Sequence, residues 1–152
     1  MFSSFDSDLV ESQGKENELA DLLRSWGCIV STSQNRGKFI EFDLLVYDAP
    51  DSSPIKIELK FDRLSEKTGN VAVELYTMLN GQKKFSGITA TKSDLLSYCF
   101  PGDRSFYFIS PAELLELARR KSENVVFGGD GGRACIALIR KEIFIENCLR
   151  LN

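Results

Sequence analysis

Apolar and polar positions along this chain switch repeatedly between a helical and a strand rhythm. Over Asp8–Trp26, Leu19, Leu22, Leu23 and Trp26 recur at the spacing of one amphipathic helical face, and Gly27 supplies a natural stop. Glu16 falls at the edge of that apolar arc, near Leu19 and Leu23, whereas Glu18 points well away from its centre. Strands are expected at Cys28–Ser33, Lys38–Tyr47 and Pro54–Phe61, separated by turns at Gln34–Gly37 and Ala49–Ser53. Asp62–Gly69 is polar and reads as a mobile loop. Asn70–Leu75 alternates as a strand, with Glu74 directed away from its apolar face. A basic turn at Gly81–Phe85 and a short segment at Ser86–Thr89 lead to a helix expected over Lys92–Cys99.

The last third continues the α/β rhythm. Arg104–Ile109 is an aromatic strand, Pro111–Lys121 a helix with proline in its first turn, and Val125–Phe127 and Ala134–Arg140 are further strands. Gly128–Gly132 between them lacks the following Lys-Ser/Thr of a phosphate-binding P-loop and reads as a turn. With 152 residues and neither repeat nor linker, the expectation is one domain spanning 1–152.

Composition narrows the chemistry. Without any histidine, His-dependent triads and the usual zinc hydrolases are excluded, so acid–base work falls to Asp, Glu, Lys, Tyr or metal-bound water. Cys28, Cys99, Cys135 and Cys148 are scattered in apolar segments, which predicts buried free thiols rather than disulfides or a zinc site. No run approaches the ~20 apolar residues of a membrane span, and Met1–Asp6 lacks a signal-peptide pattern. The expected location is cytoplasmic. The net charge of −3 hides an asymmetry: residues 1–53 hold ten acidic and four basic side chains, residues 54–92 four acidic and seven basic. Phosphate contacts act within about a Debye length, so that local surplus matters more than the total.

The chemistry-bearing stretch lies where these two charge regimes meet. Asp43 interrupts an apolar run, Phe42–Val46, and Ile57-Glu58-Leu59-Lys60 follows in the next strand. Residues two apart on a strand share a face, so Glu58 and Lys60 project together. If the two strands pair, Asp43 joins them. A carboxylate among apolar neighbours is costly unless paired or bound to a metal. Two carboxylates and an ammonium are equipment for holding Mg²⁺ and a phosphodiester.

A helix, a strand pair carrying Asp43 and Glu58-Leu59-Lys60, then a helix and more strands: this order resembles the PD-(D/E)XK nuclease superfamily over roughly residues 10–110. Phe42 stands in place of the motif's leading proline. The Glu16–Gly27 spacing is similar to that of Holliday-junction resolvases. Thr68–Glu74 and Ser86–Asp94 look like small phage and cyanobacterial members. The resemblance implies a restriction-endonuclease-like α/β core, a central mixed sheet flanked by helices. It implies a Mg²⁺-dependent DNA endonuclease of the homing, restriction or junction-resolving kind, with Mn²⁺ as a substitute. Asp43, Glu58 and the Leu59 carbonyl would ligate the metal, Lys60 would position or activate water, and Glu16 would support the site, with Glu18 as its fallback. Lys67, Asn70, Lys83, Lys84, Thr89 and Lys92 are the candidate contacts to the backbone of double-stranded or branched DNA.

Cutting both strands implies a homodimer or homotetramer. Phe106–Phe108 and Ile143–Ile145 serve equally as its interface or as core. Two other readings compete: a non-catalytic α/β nucleic-acid-binding or protein-interaction domain, and a metal-dependent RNase or nuclease-fold toxin. The lack of an aromatic RNA platform near the site disfavours the latter.

Overall fold

The computed structural model describes residues 4–33, 42–122 and 124–152. The expected turn at 34–37 and the start of the second strand, 38–41, lie outside the described residues. The first helix, α1 (Ser4–Ser25), begins four residues before the sequence pattern does. It closes in a Schellman arrangement: the Gly27 amide donates to Arg24 O (2.9 Å) and the Cys28 amide to Leu23 O (3.1 Å). The left-handed φ of +90° at Gly27 makes this closure possible without a Cβ clash. Because the helix has ended, Trp26 leaves the apolar face and is exposed.

Strands β1 (Ile29–Thr32), β2 (Leu44–Tyr47) and β3 (Ile55–Phe61) form an antiparallel meander, Thr32 opposite Leu44 and Leu44 opposite Ile57. The chain then leaves the sheet through a one-turn helix, α2 (Ser65–Thr68), where a loop was expected. It continues through a hairpin of β4 (Asn70–Leu79) and β5 (Gln82–Phe85). Asn80 and Gly81 both take positive φ, which suits a two-residue turn between right-twisted strands. So the expected basic turn at Gly81–Phe85 is a strand, and β4 runs four residues beyond Leu75.

A 3₁₀ turn at Gly87–Thr89 returns the chain to β6 (Leu95–Cys99), which lies parallel to β3 with Glu58 beside Leu96 and Lys60 beside Tyr98. This strand corrects the helix expected over Lys92–Cys99. Leu96, Ser97, Tyr98 and Cys99 are all buried, so β6 is covered on both faces and has no polar alternation to show in sequence. The rest of the chain forms β7 (Phe106–Ile109), α3 (Pro111–Lys121), β8 (Asn124–Gly128), β9 (Ala134–Arg140), α4 (Lys141–Glu146) and β10 (Leu149–Leu151). Ser110 and Glu113 cap α3 reciprocally.

Two sheets result. One is mixed, in the order β1-β2-β3-β6-β7-β10; the other is antiparallel, in the order β5-β4-β9-β8. The mixed sheet separates two cores. On one side Leu44, Ile57, Leu59 and Phe106 pack with Leu19 and Leu23 of α1. On the other, Leu96, Tyr98 and Ile109 meet Val71 and Ile139 of the second sheet and Leu114 of α3. Phe144 of α4 is fully buried there, its ring 4.6 Å from that of Tyr98. Burying one such side chain contributes about 1.5–3 kcal/mol. Phe106–Phe108 and Phe144 are therefore core, which settles the interface-or-core alternative for those side chains. All four cysteines are free, and no described helix is long and apolar enough to cross a membrane.

Candidate active site

Strand alternation sorts the β3 side chains: Ile57 and Leu59 face the α1 core, while Glu58 and Lys60 project from the opposite face. Lys60 Nζ lies 2.6 Å from Glu58 Oε1, and Glu58 Oε2 accepts the Thr91 hydroxyl at 2.9 Å. Among the described residues the β2–β3 ladder ends at the Leu44–Ile57 pair, two residues short of the Leu59 amide. Asp43 fills that place. Its own amide donates to Ile57 O (2.9 Å), and its Oδ2 accepts the Leu59 amide at 2.6 Å. The acidic residue before β2 is thus fastened to the backbone between Glu58 and Lys60.

Glu16 reaches the same region from α1. It is only 5% exposed, and its Oε1 accepts both the amide (3.0 Å) and the hydroxyl (2.8 Å) of Ser33. The Ser33 amide also donates to Asp43 O at 2.7 Å, so one residue couples the two acids. Glu18 is exposed and pairs with Lys15 at 3.1 Å, away from the cluster. Burial holds the Asp43 carboxyl above the ordinary range; the Leu59 hydrogen bond opposes this, the Glu16 and Glu58 charges add to it, and Lys60 offsets part. Asp43, Glu16, Glu58 and Lys60 therefore form one electrostatic unit.

Beside this unit opens a cleft of about 610 Å³, walled by Glu58, Lys60, Arg63, Glu74, Gly87 and Thr91 among others. Glu74 does sit off the apolar face of β4, as its alternation indicates, but that face looks into the cleft. A Cβ on Gly87 would lie 2.4 Å from Glu74 O, so only glycine lets the returning chain pass this close. Neither Glu74 nor Thr91 was legible as a cleft residue. Their approach to β3 depends on the path of the crossover, for which local sequence carries no signal.

The six candidate DNA contacts do not share one surface. Lys92 lines an extension of the cleft, about 370 Å³, with Glu58 and Lys60. Lys67 is exposed on α2, and Asn70 is half-buried where β4 begins, opposite Arg140. Lys84 is exposed on β5. Lys83 stands over the Tyr76 ring at 4.2 Å and lines a different hollow. The Thr89 hydroxyl donates to Leu75 O (2.6 Å) and accepts the Ser86 amide (3.2 Å), which fixes it in the fold of the turn.

Burial pushes the Cys99 and Cys148 thiols up to about 12, so neither is a thiolate nucleophile at neutral pH. Among the described residues, no group of three or more Asp, Glu or Cys side chains could hold a metal ion together. A smaller set of hard oxygens is present: the Asp43 and Glu58 carboxylates and the Leu59 carbonyl. That carbonyl leaves β3 on the same edge as the amide Asp43 accepts. Mg²⁺ is commonly held by one or two carboxylates and keeps several waters, so this donor set fits it. Crowded negative charge at Asp43 is what a cation would relieve. No family model, curated protein or solved structure matches the chain.

Proposed function

We propose that this protein is a Mg²⁺-dependent DNA endonuclease whose site is Asp43, Glu58 and Lys60, supported by Glu16. The observation carrying this reading is the Asp43–Leu59 hydrogen bond, which brings the Asp43 carboxylate to the Glu-x-Lys strand at the edge of an open cleft. Support also comes from topology: a helix is followed by a paired strand segment carrying Asp43 and Glu58-Leu59-Lys60, within a mixed sheet. One departure stands beside it, since the crossover carries a hairpin and only one turn of helix.

Asp43, Glu58 and the Leu59 carbonyl would hold the ion. When bound, Mg²⁺ neutralises phosphate charge and lowers the pKa of a coordinated water. The Glu58 contact holds the Lys60 amino group in place, so that it orients the attacking water and faces the scissile phosphate. Thr91 fixes the second Glu58 oxygen, and Glu16 keeps Asp43 in a crowded field that favours a cation. Water adds to phosphorus as its proton passes to solvent, one P–O ester bond breaks with its electron pair on the leaving oxygen, and that oxygen takes a proton back from solvent. Action on both strands calls for two such sites, and we extend the proposal to a homodimer or homotetramer.

One observation favours the non-catalytic reading: both Glu58 oxygens already have partners, Lys60 and Thr91. A carboxylate oxygen accepting one hydrogen bond retains a second lone pair, so the two readings differ in metal binding. The deciding experiment presents plasmid, linear duplex, four-way junction and single-stranded RNA with Mg²⁺, Mn²⁺ or EDTA. Metal-dependent DNA cutting that is lost in Asp43→Asn supports the nuclease. Folded protein that neither cuts nor gains stability from either metal supports the binding domain.

A further inference from the structure

Away from the cleft, β4, β5 and α3 enclose a second hollow of about 500 Å³ that shares no lining residue with the cleft. This volume falls within the ~300–1,000 Å³ of small-ligand sites. Its walls are mainly apolar, with Leu75, Leu115, Ala118 and Ala137 at the back. Two cations, Lys83 and Arg119, line it as well, and among the described residues no acidic side chain does. Neither cation makes an ion pair among the described residues; Lys83 rests only on the Tyr76 ring. Both side chains are exposed, so each can turn its charged end to an anion held against the apolar walls. Phe85 and Val125, also lining residues, are 68% and 57% exposed, which leaves apolar surface in water.

We infer that this hollow is a binding site for a small organic carboxylate with an apolar body. The body covers Phe85 and Val125 and fills the space against Leu75 and Leu115. The carboxylate meets the Arg119 guanidinium, whose planar fork matches it, and the Lys83 ammonium. Among the described lining residues no carboxylate competes with the ligand for the two cations. The inference is independent of the nuclease reading, because no residue of the cleft takes part.

The test titrates the full chain with decanoate, and separately with decanol, by calorimetry and amide chemical shifts. Saturable 1:1 decanoate binding is expected, with shifts confined to β4, β5 and α3, and decanol weaker by about tenfold or more. Arg119→Glu and Lys83→Glu should each weaken decanoate by about tenfold with only a small fall in Tm, since both side chains are exposed. The inference is overturned by any of three results: no saturation at millimolar decanoate, equal affinity for decanol, or indifference to both reversals. Self-association of the chain that shifts the same amides without ligand would assign the hollow to a second copy instead, and would also overturn it.

Discussion

Asp43 Oδ2 accepts the Leu59 amide at 2.6 Å, and this contact ties the acid before β2 to the backbone linking Glu58 and Lys60. A strand amide outside the described β2–β3 pairs is satisfied by a side-chain carboxylate. Structure and proposed chemistry therefore rest on the same carboxylate, and they respond differently to substitution.

Asp43→Asn should be more stable than the parent protein in EDTA at neutral pH. The raised Asp43 pKa means that the folded state binds this proton more readily than the unfolded chain. Stability is thus lost as pH rises from the ordinary aspartate range through the raised value, and the loss persists above it. An amide oxygen still accepts the Leu59 hydrogen bond but carries no charge. For a chain of this size, each kcal/mol appears as about 2–4 °C in Tm. Melting curves with and without Mg²⁺ check both halves: the variant gains in EDTA, and only the parent responds to metal.

Glu16 separates packing from electrostatics. Glu16→Ala strands the Ser33 hydroxyl and weakens the hold on its amide, for a loss of about 1–3 kcal/mol by denaturant titration. Glu16→Gln preserves an acceptor and should cost little. It also removes a like charge from Asp43, so the acid limb of any pH–rate profile should move to lower pH.

Gly87→Ala should be strongly destabilising, by about 2–4 kcal/mol. The added Cβ would sit 2.4 Å from Glu74 O and 2.7 Å from Glu74 Cβ, at a φ of +55°. Thermal unfolding measures the loss directly. Gly81→Ala, also at positive φ but with open space around it, should lose about 1 kcal/mol.

Thr91→Val keeps the shape of the side chain and removes the hydrogen bond to Glu58 Oε2. The carboxylate then swings more freely beside Lys60. Metal affinity or activity should fall by about 10–100-fold, the usual effect of losing a partner that orients a ligand. Unchanged affinity and rate would show that Lys60 alone positions Glu58.

Much of this arrangement was legible locally. Alternation along β3 put Glu58 and Lys60 on one face, and the apolar arc of α1 turned Glu16 inward rather than Glu18. What failed was long-range. The run ending at Cys99 is buried on both faces, so its period cannot distinguish a strand from a buried helix; only pairing with β3, some forty residues earlier, decides it. Glu74, Thr91 and Lys83 owe their positions to where the crossover hairpin settles, a choice made by packing between the sheets.

Cleavage by Lys60→Ala, with DNA binding followed in parallel, tests the central claim most directly. Substitution of a water-positioning ammonium should abolish Mg²⁺-dependent cutting while leaving affinity for DNA largely intact. A Lys60→Ala protein that cuts at the parental rate would contradict the proposed site.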